Sequence, residues 1–147
     1  MNILIICTGN SSRSQMAHGF LKSFNRNIEV HSAGTNPSDK VSEKAIAVMK
    51  EVGIDISNHK PKSVDIYLDD KWDYVITVCD EANETCPAFT GKVNRRLHIG
   101  FEDPSKVTGS KEHIWSEFRR VRDEIKNKFN ELFINQIEPQ SCHHKNV

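Results

Sequence analysis

Residues 1–20 read MNILIICTGNSSRSQMAHGF, and this stretch decides the fold. A continuous apolar run from Ile3 to Ile6 stops at Cys7 and gives way to small, turn-forming residues. After Arg13, apolar side chains recur at helical spacing. The stretch therefore predicts a buried strand, a tight loop and a helix, in that order.

The rest of the chain continues this alternation of strands and helices. Further strands are predicted over 28–32 and 74–78, with a weaker one near 96–99, and further helices over 41–52 and from the N-cap Ser110 to Leu132. Gly53 stands where a helix commonly ends on a glycine. Alternating strands and helices predict an α/β fold with a four-stranded parallel sheet, right-handed crossovers and helices on both faces. We expect one domain over 1–137 and a disordered polar tail over 138–147.

Composition narrows the classes of partner. Lysine plus arginine (20) balances aspartate plus glutamate (20), so no overall field favours nucleic acid or a membrane surface. No apolar stretch approaches the roughly 20 residues that span a bilayer, and the apolar N-terminal run lacks the charged region of a signal peptide. We expect a cytoplasmic monomer that needs no cofactor or metal.

The loop after the first strand has the composition of an anion-binding site. Small residues let successive backbone N–H groups point inward at a helix N-terminus, and the Arg13 guanidinium can hold two oxygens of a tetrahedral oxyanion. The residues expected to bind it are Thr8, Gly9, Asn10, Ser11, Ser12, Arg13 and Ser14. The same surroundings should lower the pKa of Cys7 and make it a thiolate nucleophile, held by Ser14. A buried cysteine beside an ordinary turn is the alternative, and it leaves Arg13 unexplained.

Three more cysteines follow. Cys79 comes directly after a predicted buried strand, and Cys86 follows seven residues later. Their spacing is unusual for zinc, and no nearby second pair completes four ligands. Redox chemistry and a buried structural pair remain as interpretations. Cys142, near the terminus, is assigned no role.

The Cys7 loop resembles the signature of low-molecular-weight tyrosine phosphatases and of the thioredoxin-coupled arsenate reductases built on the same fold. The resemblance extends to about Phe133. The segments that are similar to the reductase branch are Ser32-Ala33-Gly34, Glu51-Val52-Gly53-Ile54-Asp55, Phe101-Glu102-Asp103-Pro104 and Arg120-Val121-Arg122-Asp123-Glu124-Ile125.

The resemblance implies a role for each site residue. Cys7 attacks arsenate, and Asp103 of the Asp-Pro pair gives a proton to the departing oxygen; taken alone, the pair would be a plain turn. Cys79 then attacks Cys7 and releases arsenite, and Cys86 attacks Cys79, leaving a disulfide for thioredoxin to reduce. Phosphate and sulfate are expected to bind as analogues of arsenate.

Two other functions compete with this one. The first is a phosphatase acting on phosphotyrosine or a small phosphomonoester, although Ser105 and Lys106 follow the Asp-Pro pair where such phosphatases usually place aromatic residues. The second is a non-catalytic redox sensor that uses Cys79 and Cys86. A sensor needs no general acid, so Asp103 argues against it.

The chain departs from the resembled family beside the loop. A subset of these reductases binds potassium there. This chain keeps Asn10 and Ser32, but His18 stands where a glutamate is usual and Lys62 about where an aspartate would be. Such a cation site is doubtful. The hypothesis is that the Lys62 ammonium replaces potassium.

Overall fold

The computed structural model describes residues 1–139. The strands are β1 (Asn2–Cys7), β2 (Glu29–Gly34), β3 (Trp72–Thr77) and β4 (Val93–His98); the α-helices are α1 (Arg13–Phe24), α2 (Glu43–Glu51), α3 (Asp80–Thr85) and α4 (Lys111–Leu132). Short 3-10 helices span Val64–Tyr67 and Pro104–Lys106, and a π-helical turn spans Phe133–Ile137. Glu138 and Pro139 continue in helical conformation, and the remainder of the predicted tail, with Cys142, lies outside the described residues.

All four strands run parallel in the order β2-β1-β3-β4, which confirms the predicted sheet. The central strand β1 carries four consecutive residues, Ile3 to Ile6, that are fully buried. The edge strand β4 is mostly exposed, which explains its weak apolar signal. No helix within residues 1–139 is long and apolar enough to cross a bilayer.

The helix boundaries follow their capping residues. The Ser110 hydroxyl accepts a hydrogen bond from the His113 N–H at the start of α4, as predicted. Helix α2 begins two residues later than predicted because Ser42 caps it, accepting from the Ala45 N–H. It ends before Gly53, whose φ of +81° is the left-handed conformation expected of a C-terminal glycine.

The sheet brings the predicted site residues to one edge. Cys7 is the last residue of β1, and Cys79 follows β3 by two residues. Because β1 and β3 are parallel neighbours, both cysteines lie at the carboxyl edge, where ligands bind in sheets of this kind. Helix α1 begins directly after the loop and packs against α4. The fold thus fixes both ends of the loop.

Gly34, the last residue of β2, allows the loop to approach closely. A Cβ there would lie 2.4 Å from the Thr8 carbonyl oxygen and 3.2 Å from the Asn10 backbone nitrogen. Both are backbone atoms that cannot rotate away. A side chain at Gly34 would therefore push the loop off the sheet.

We expect Gly34→Ala to lower the free energy of unfolding by about 1–3 kcal/mol, because overpacking displaces fixed atoms. Urea denaturation measures this. The matched control is Gly9→Ala, whose Cβ would lie 2.7 Å from the Ser38 hydroxyl, which can rotate, and at ordinary contact distance from the Ser11 hydroxyl and the Ser38 Cβ. Equal stability of Gly34→Ala and the wild type would contradict the close approach.

Candidate active site

The loop between β1 and α1 is held from its outer side. Its carbonyl oxygens accept hydrogen bonds from backbone N–H groups of the segment 35–42, at 2.9–3.1 Å. The pairs, donor first, are Thr35 with Cys7, Asn36 with Thr8, Ser38 with Gly9, and Ser42 with Ser11. In a trans peptide the N–H points opposite to the C=O. The N–H groups that follow these carbonyls therefore point toward the other side of the loop.

That other side is a small cavity of about 260 Å³. Its lining includes Cys7, Gly9, Ser11, Ser12 and Arg13. The Ser12 hydroxyl is a buried polar group that has no hydrogen-bond partner among the described residues. An oxyanion in this cavity would meet backbone N–H groups, a guanidinium and an uncommitted hydroxyl, which is the donor set such an ion needs.

Asn10 holds the loop from inside. It has a φ of +52°, a left-handed conformation that asparagine tolerates. Its amide nitrogen donates to the Ser14 hydroxyl at 2.8 Å, and its amide oxygen accepts from the Lys62 backbone N–H at 2.9 Å. Gln15 donates to the Asn10 carbonyl at 3.1 Å. The side chains of Asn10 and Ser14 are thus hydrogen-bonded to each other. Ser14 accepts this bond and keeps its own hydrogen to donate, so the predicted bond from Ser14 to the Cys7 sulfur stays a prediction.

Cys7 and Cys79 are both buried, and neither is in a disulfide. The neighbouring Cys7 side chain, the Thr8 hydroxyl 3.3 Å away and the Ala82 backbone N–H lower the pKa of Cys79 to about 5. The neighbouring Cys79 side chain and burial raise the pKa of Cys7, against the effect of Arg13. The pair therefore carries one negative charge at neutral pH.

Because each cysteine shifts the pKa of the other, transfer of one proton between them would exchange the thiolate. Here the charge lies on Cys79, whereas the sequence analysis expected a thiolate at Cys7. Arg13 favours the thiolate at either sulfur because its charge lowers the pKa of both. The Cys7 thiolate is thus the second of two forms of the pair, and it stays a prediction.

Asp103 lies across the loop from Cys7. Its carboxylate is 3.4 Å from the Arg13 guanidinium and accepts bonds from the Ser105 N–H and hydroxyl at 3.0 and 2.6 Å. Arg13 also donates to the Phe101 carbonyl at 3.1 Å. Asp103 and Arg13 together line the small cavity and a wider one of about 650 Å³ that opens above it. Glu81 and Lys106, which the sequence did not place in the site, line both cavities.

Cys86 stands apart from the other two thiols. It follows the last residue of α3, is half-buried and lines a separate cavity of about 200 Å³. Burial raises its pKa, against an opposing effect of Arg96. Helix α3 separates it from Cys79 by about 10 Å along the axis, at 1.5 Å per residue. The structure thus unites Cys7, Arg13, Cys79 and Asp103 and leaves Cys86 outside.

Residues 2–143 match the family of low molecular weight phosphotyrosine protein phosphatases. The chain belongs to this family. Within it, the chain is 46% identical over 124 residues to an arsenate reductase of Halalkalibacterium halodurans, covering 84% of this chain and 88% of that protein. It is 42% identical over 131 residues to an arsenate reductase of Bacillus subtilis, covering 88% and 93%.

Solved structures agree with the family. An arsenate reductase in the phosphate binding state superimposes with a TM-score of 0.76 at 32% identity, covering 90% of this chain and 96% of that one. The predicted fold class of this family is therefore confirmed.

Beside the loop lies a pair of histidines, His18 and His59. The His18 ring nitrogen Nδ1 is 2.9 Å from the Ser32 hydroxyl, and its ring centroid is 4.5 Å from that of His59. Burial lowers the pKa of His18 to about 3, so its imidazole is neutral. His59 in turn contacts the Gln15 side chain at 2.9 Å. Sequence analysis missed Gln15 and His59, because nothing in their spacing marks them.

The structure revises the hypothesis about Lys62. Its backbone N–H, not its ammonium, holds Asn10. No group of three histidine, cysteine, aspartate or glutamate residues within 1–139 is arranged to hold a metal ion.

We expect phosphate binding to the loop to be indifferent to potassium, because a neutral imidazole and a lysine stand where carboxylates would be needed. Calorimetric affinities in sodium and potassium chloride at equal ionic strength should agree within about twofold. Lys62→Ala, which keeps the backbone N–H, should behave like the wild type. A several-fold gain in affinity with potassium would contradict this.

Proposed function

We propose that this protein reduces arsenate to arsenite, with Cys7 as nucleophile and Cys79 and Cys86 as the thiols that take up the oxidation. The observation that carries the proposal is the burial of Cys79 beside the Cys7 loop, with its sulfur 3.3 Å from the Thr8 hydroxyl, because hydrolysis of a phosphate ester has no use for a second thiol there. The relatives named arsenate reductase support it.

The first step joins Cys7 to arsenic. Arsenate accepts hydrogen bonds from the inward-pointing N–H groups and from Arg13. This binding draws the Arg13 guanidinium away from its salt bridge with Asp103. Asp103, freed of that charge, can carry the proton that the departing oxygen needs. The Cys7 thiolate forms a sulfur–arsenic bond while an arsenate oxygen leaves as water. Arsenic is not yet reduced.

The second step is the reduction. Cys79 gives up the proton that it took from Cys7 and attacks the Cys7 sulfur as a thiolate. A disulfide forms, the electron pair of the sulfur–arsenic bond passes to arsenic, and the departing arsenite takes up the proton. Arsenic(V) becomes arsenic(III) and leaves as arsenite, and the two thiols have supplied two electrons. The position of both buried cysteines at the carboxyl edge of the neighbouring strands β1 and β3 supports this step, and each side chain shifts the pKa of the other.

The third step frees Cys7. Cys86, after losing its proton, attacks Cys79, so that a Cys79–Cys86 disulfide replaces the Cys7–Cys79 one. A dithiol reductant of the thioredoxin type then returns both thiols to the reduced state. Regeneration of free thiols in this way requires a reducing compartment, and this requirement favours a location in the cytoplasm.

The rival activity is phosphomonoester hydrolysis. The family and the intact Cys7, Arg13 and Asp103 favour it as a side activity. Phe101 is an aromatic residue in the lining of the wide cavity, where an aryl group would lie. Much of the remaining lining is charged and includes Glu81 and Lys106. A non-catalytic redox sensor would explain Cys79 and Cys86 and leave Asp103 without a use.

The deciding experiment follows NADPH oxidation with arsenate, thioredoxin and thioredoxin reductase, beside a parallel glutaredoxin system. We expect turnover with thioredoxin and little with glutaredoxin. No turnover with either would overturn the proposed function.

Cysteine variants separate reduction from hydrolysis. Cys7→Ser should lower both arsenate reduction and aryl phosphate hydrolysis by about 10³-fold or more, because both need the nucleophile. Cys79→Ser and Cys86→Ser should abolish only arsenate turnover. Steady-state rates on both substrates measure this.

Cys142→Ser is the matched control, because it removes a thiol to which no role is assigned. It should keep both activities. Full multiple turnover of Cys86→Ser with thioredoxin would disprove the three-thiol relay.

The relay requires α3 to unwind. A disulfide tolerates Cα separations of about 4.4–6.8 Å, less than the roughly 10 Å that the helix imposes between Cys79 and Cys86. Ala82 is the one residue of α3 that is buried, so little apolar contact opposes unwinding.

We therefore expect amides of residues 80–90 to exchange faster in the oxidised protein than in the reduced one. Hydrogen exchange with Cys142 replaced by Ser measures this. Equal protection in both states would show that no unwinding occurs.

A further inference from the structure

Helix α3 is tied to the sheet by a histidine. His98, the last residue of β4, donates from Nε2 to the Asp80 carboxylate at 2.9 Å. Its Nδ1 is 2.8 Å from the Thr77 hydroxyl on β3. One imidazole thus joins the first residue of α3 to the ends of two strands.

A second contact extends the tie along the helix. The Thr77 hydroxyl also lies 3.3 Å from the Asn83 side-chain oxygen, one turn into α3. Thr77 is itself buried and pairs with His98 in the β3–β4 register. The Thr77 hydroxyl has one hydrogen to donate, so its contact with Asn83 supplements the bond between His98 and Asp80 only when the hydroxyl turns toward Asn83.

The other end of α3 has no comparable tie among the described residues. The Thr85 hydroxyl donates to the Glu81 carbonyl, and the Cys86 N–H donates to the Ala82 carbonyl, so both bonds lie within the segment. Cys86 is only half-buried, in the cavity that it shares with Asn83 and His98. Unwinding at this end breaks bonds internal to α3 and leaves the sheet untouched.

We infer that His98 is a positioning residue for the relay, which anchors the first turn of α3 so that the Cys86 end moves while Cys79 stays beside Cys7. This rests on the proposed function. Cys79 reacts twice, first as attacker of Cys7 and then as target of Cys86. Both reactions need its sulfur in one place, although the helix between the thiols has to open.

The contact between His98 and Asp80 positions α3 more than it stabilises the fold. The Asp80 side chain is 88% exposed. A charged contact that is so exposed to solvent adds little to the free energy of folding. The loss of His98 should therefore leave the fold intact and loosen α3. A small displacement of a reacting sulfur is enough to slow its attack by about 10-fold to 100-fold.

The test compares His98→Ala with His98→Gln, whose side-chain amide can still donate to Asp80. The matched control is Arg95→Ala, an exposed position of the same strand whose guanidinium bonds Gln136, away from α3. Thermal unfolding checks the fold of each variant.

The first readout needs no arsenate. The Asn83 amide donates to the Cys79 carbonyl at 3.2 Å and reports on the first turn. In reduced protein we expect His98→Ala to raise its exchange rate about tenfold, with His98→Gln and Arg95→Ala close to the wild type. An unchanged rate in His98→Ala would overturn the anchor, whether or not the protein reduces arsenate.

The second readout is the chemistry. With Cys86 replaced by Ser, one equivalent of arsenate drives formation of the Cys7–Cys79 disulfide. His98→Ala should slow this about tenfold, His98→Gln should restore most of it, and aryl phosphate hydrolysis should stay within about twofold. Equal losses of both activities would assign His98 to the fold and overturn its positioning role. Failure of the wild type to form the disulfide would instead overturn the proposed function, and the exchange rate would still decide the anchor.

Discussion

The site depends on the hydrogen bonds that turn the loop carbonyls outward. Backbone N–H groups of the segment 35–42 donate hydrogen bonds to these carbonyls. The N–H groups of the loop therefore converge on one small cavity beside Cys7. Asn10 secures the same conformation from within, and Gly34 leaves room for it. Arg13 then adds its charge at the start of α1. The nucleophile, the anion cradle and the helix are in this way consequences of one backbone conformation.

A single shared charge governs the chemistry at the two buried thiols. Arg13 stabilises one thiolate, and burial opposes a second beside it. Two thiolates side by side would repel each other, so the pair favours one thiolate beside one thiol. Cys86, placed in a different cavity, takes no part in this balance. Its separation is what gives the proposed relay an order, since it can act only after α3 has opened.

The sheet and the loop could be predicted because local patterns determine them. The apolar run of β1, the small residues after Cys7 and the capping serine of α4 each act on their own neighbours. The contacts of Thr8 with Cys79 and of Arg13 with Asp103 join residues 71 and 90 positions apart, and only the packed sheet brings them together. Lys62 shows a different limit. Its position suggested a charge, whereas its main-chain N–H, which every residue but proline has, forms the bond to Asn10.

The bonds between the loop and the segment 35–42 also bear on how this protein can change over evolutionary time. The donors at positions 35, 36, 38 and 42 are main-chain groups. Side chains at 35, 36 and 38 are therefore free to change as long as proline does not appear, whereas the side chain of Ser42 also caps α2. Pro37 sits at a position within this series that supplies no bond to the loop. The segment can therefore diversify in sequence while the chemistry it supports is inherited unchanged.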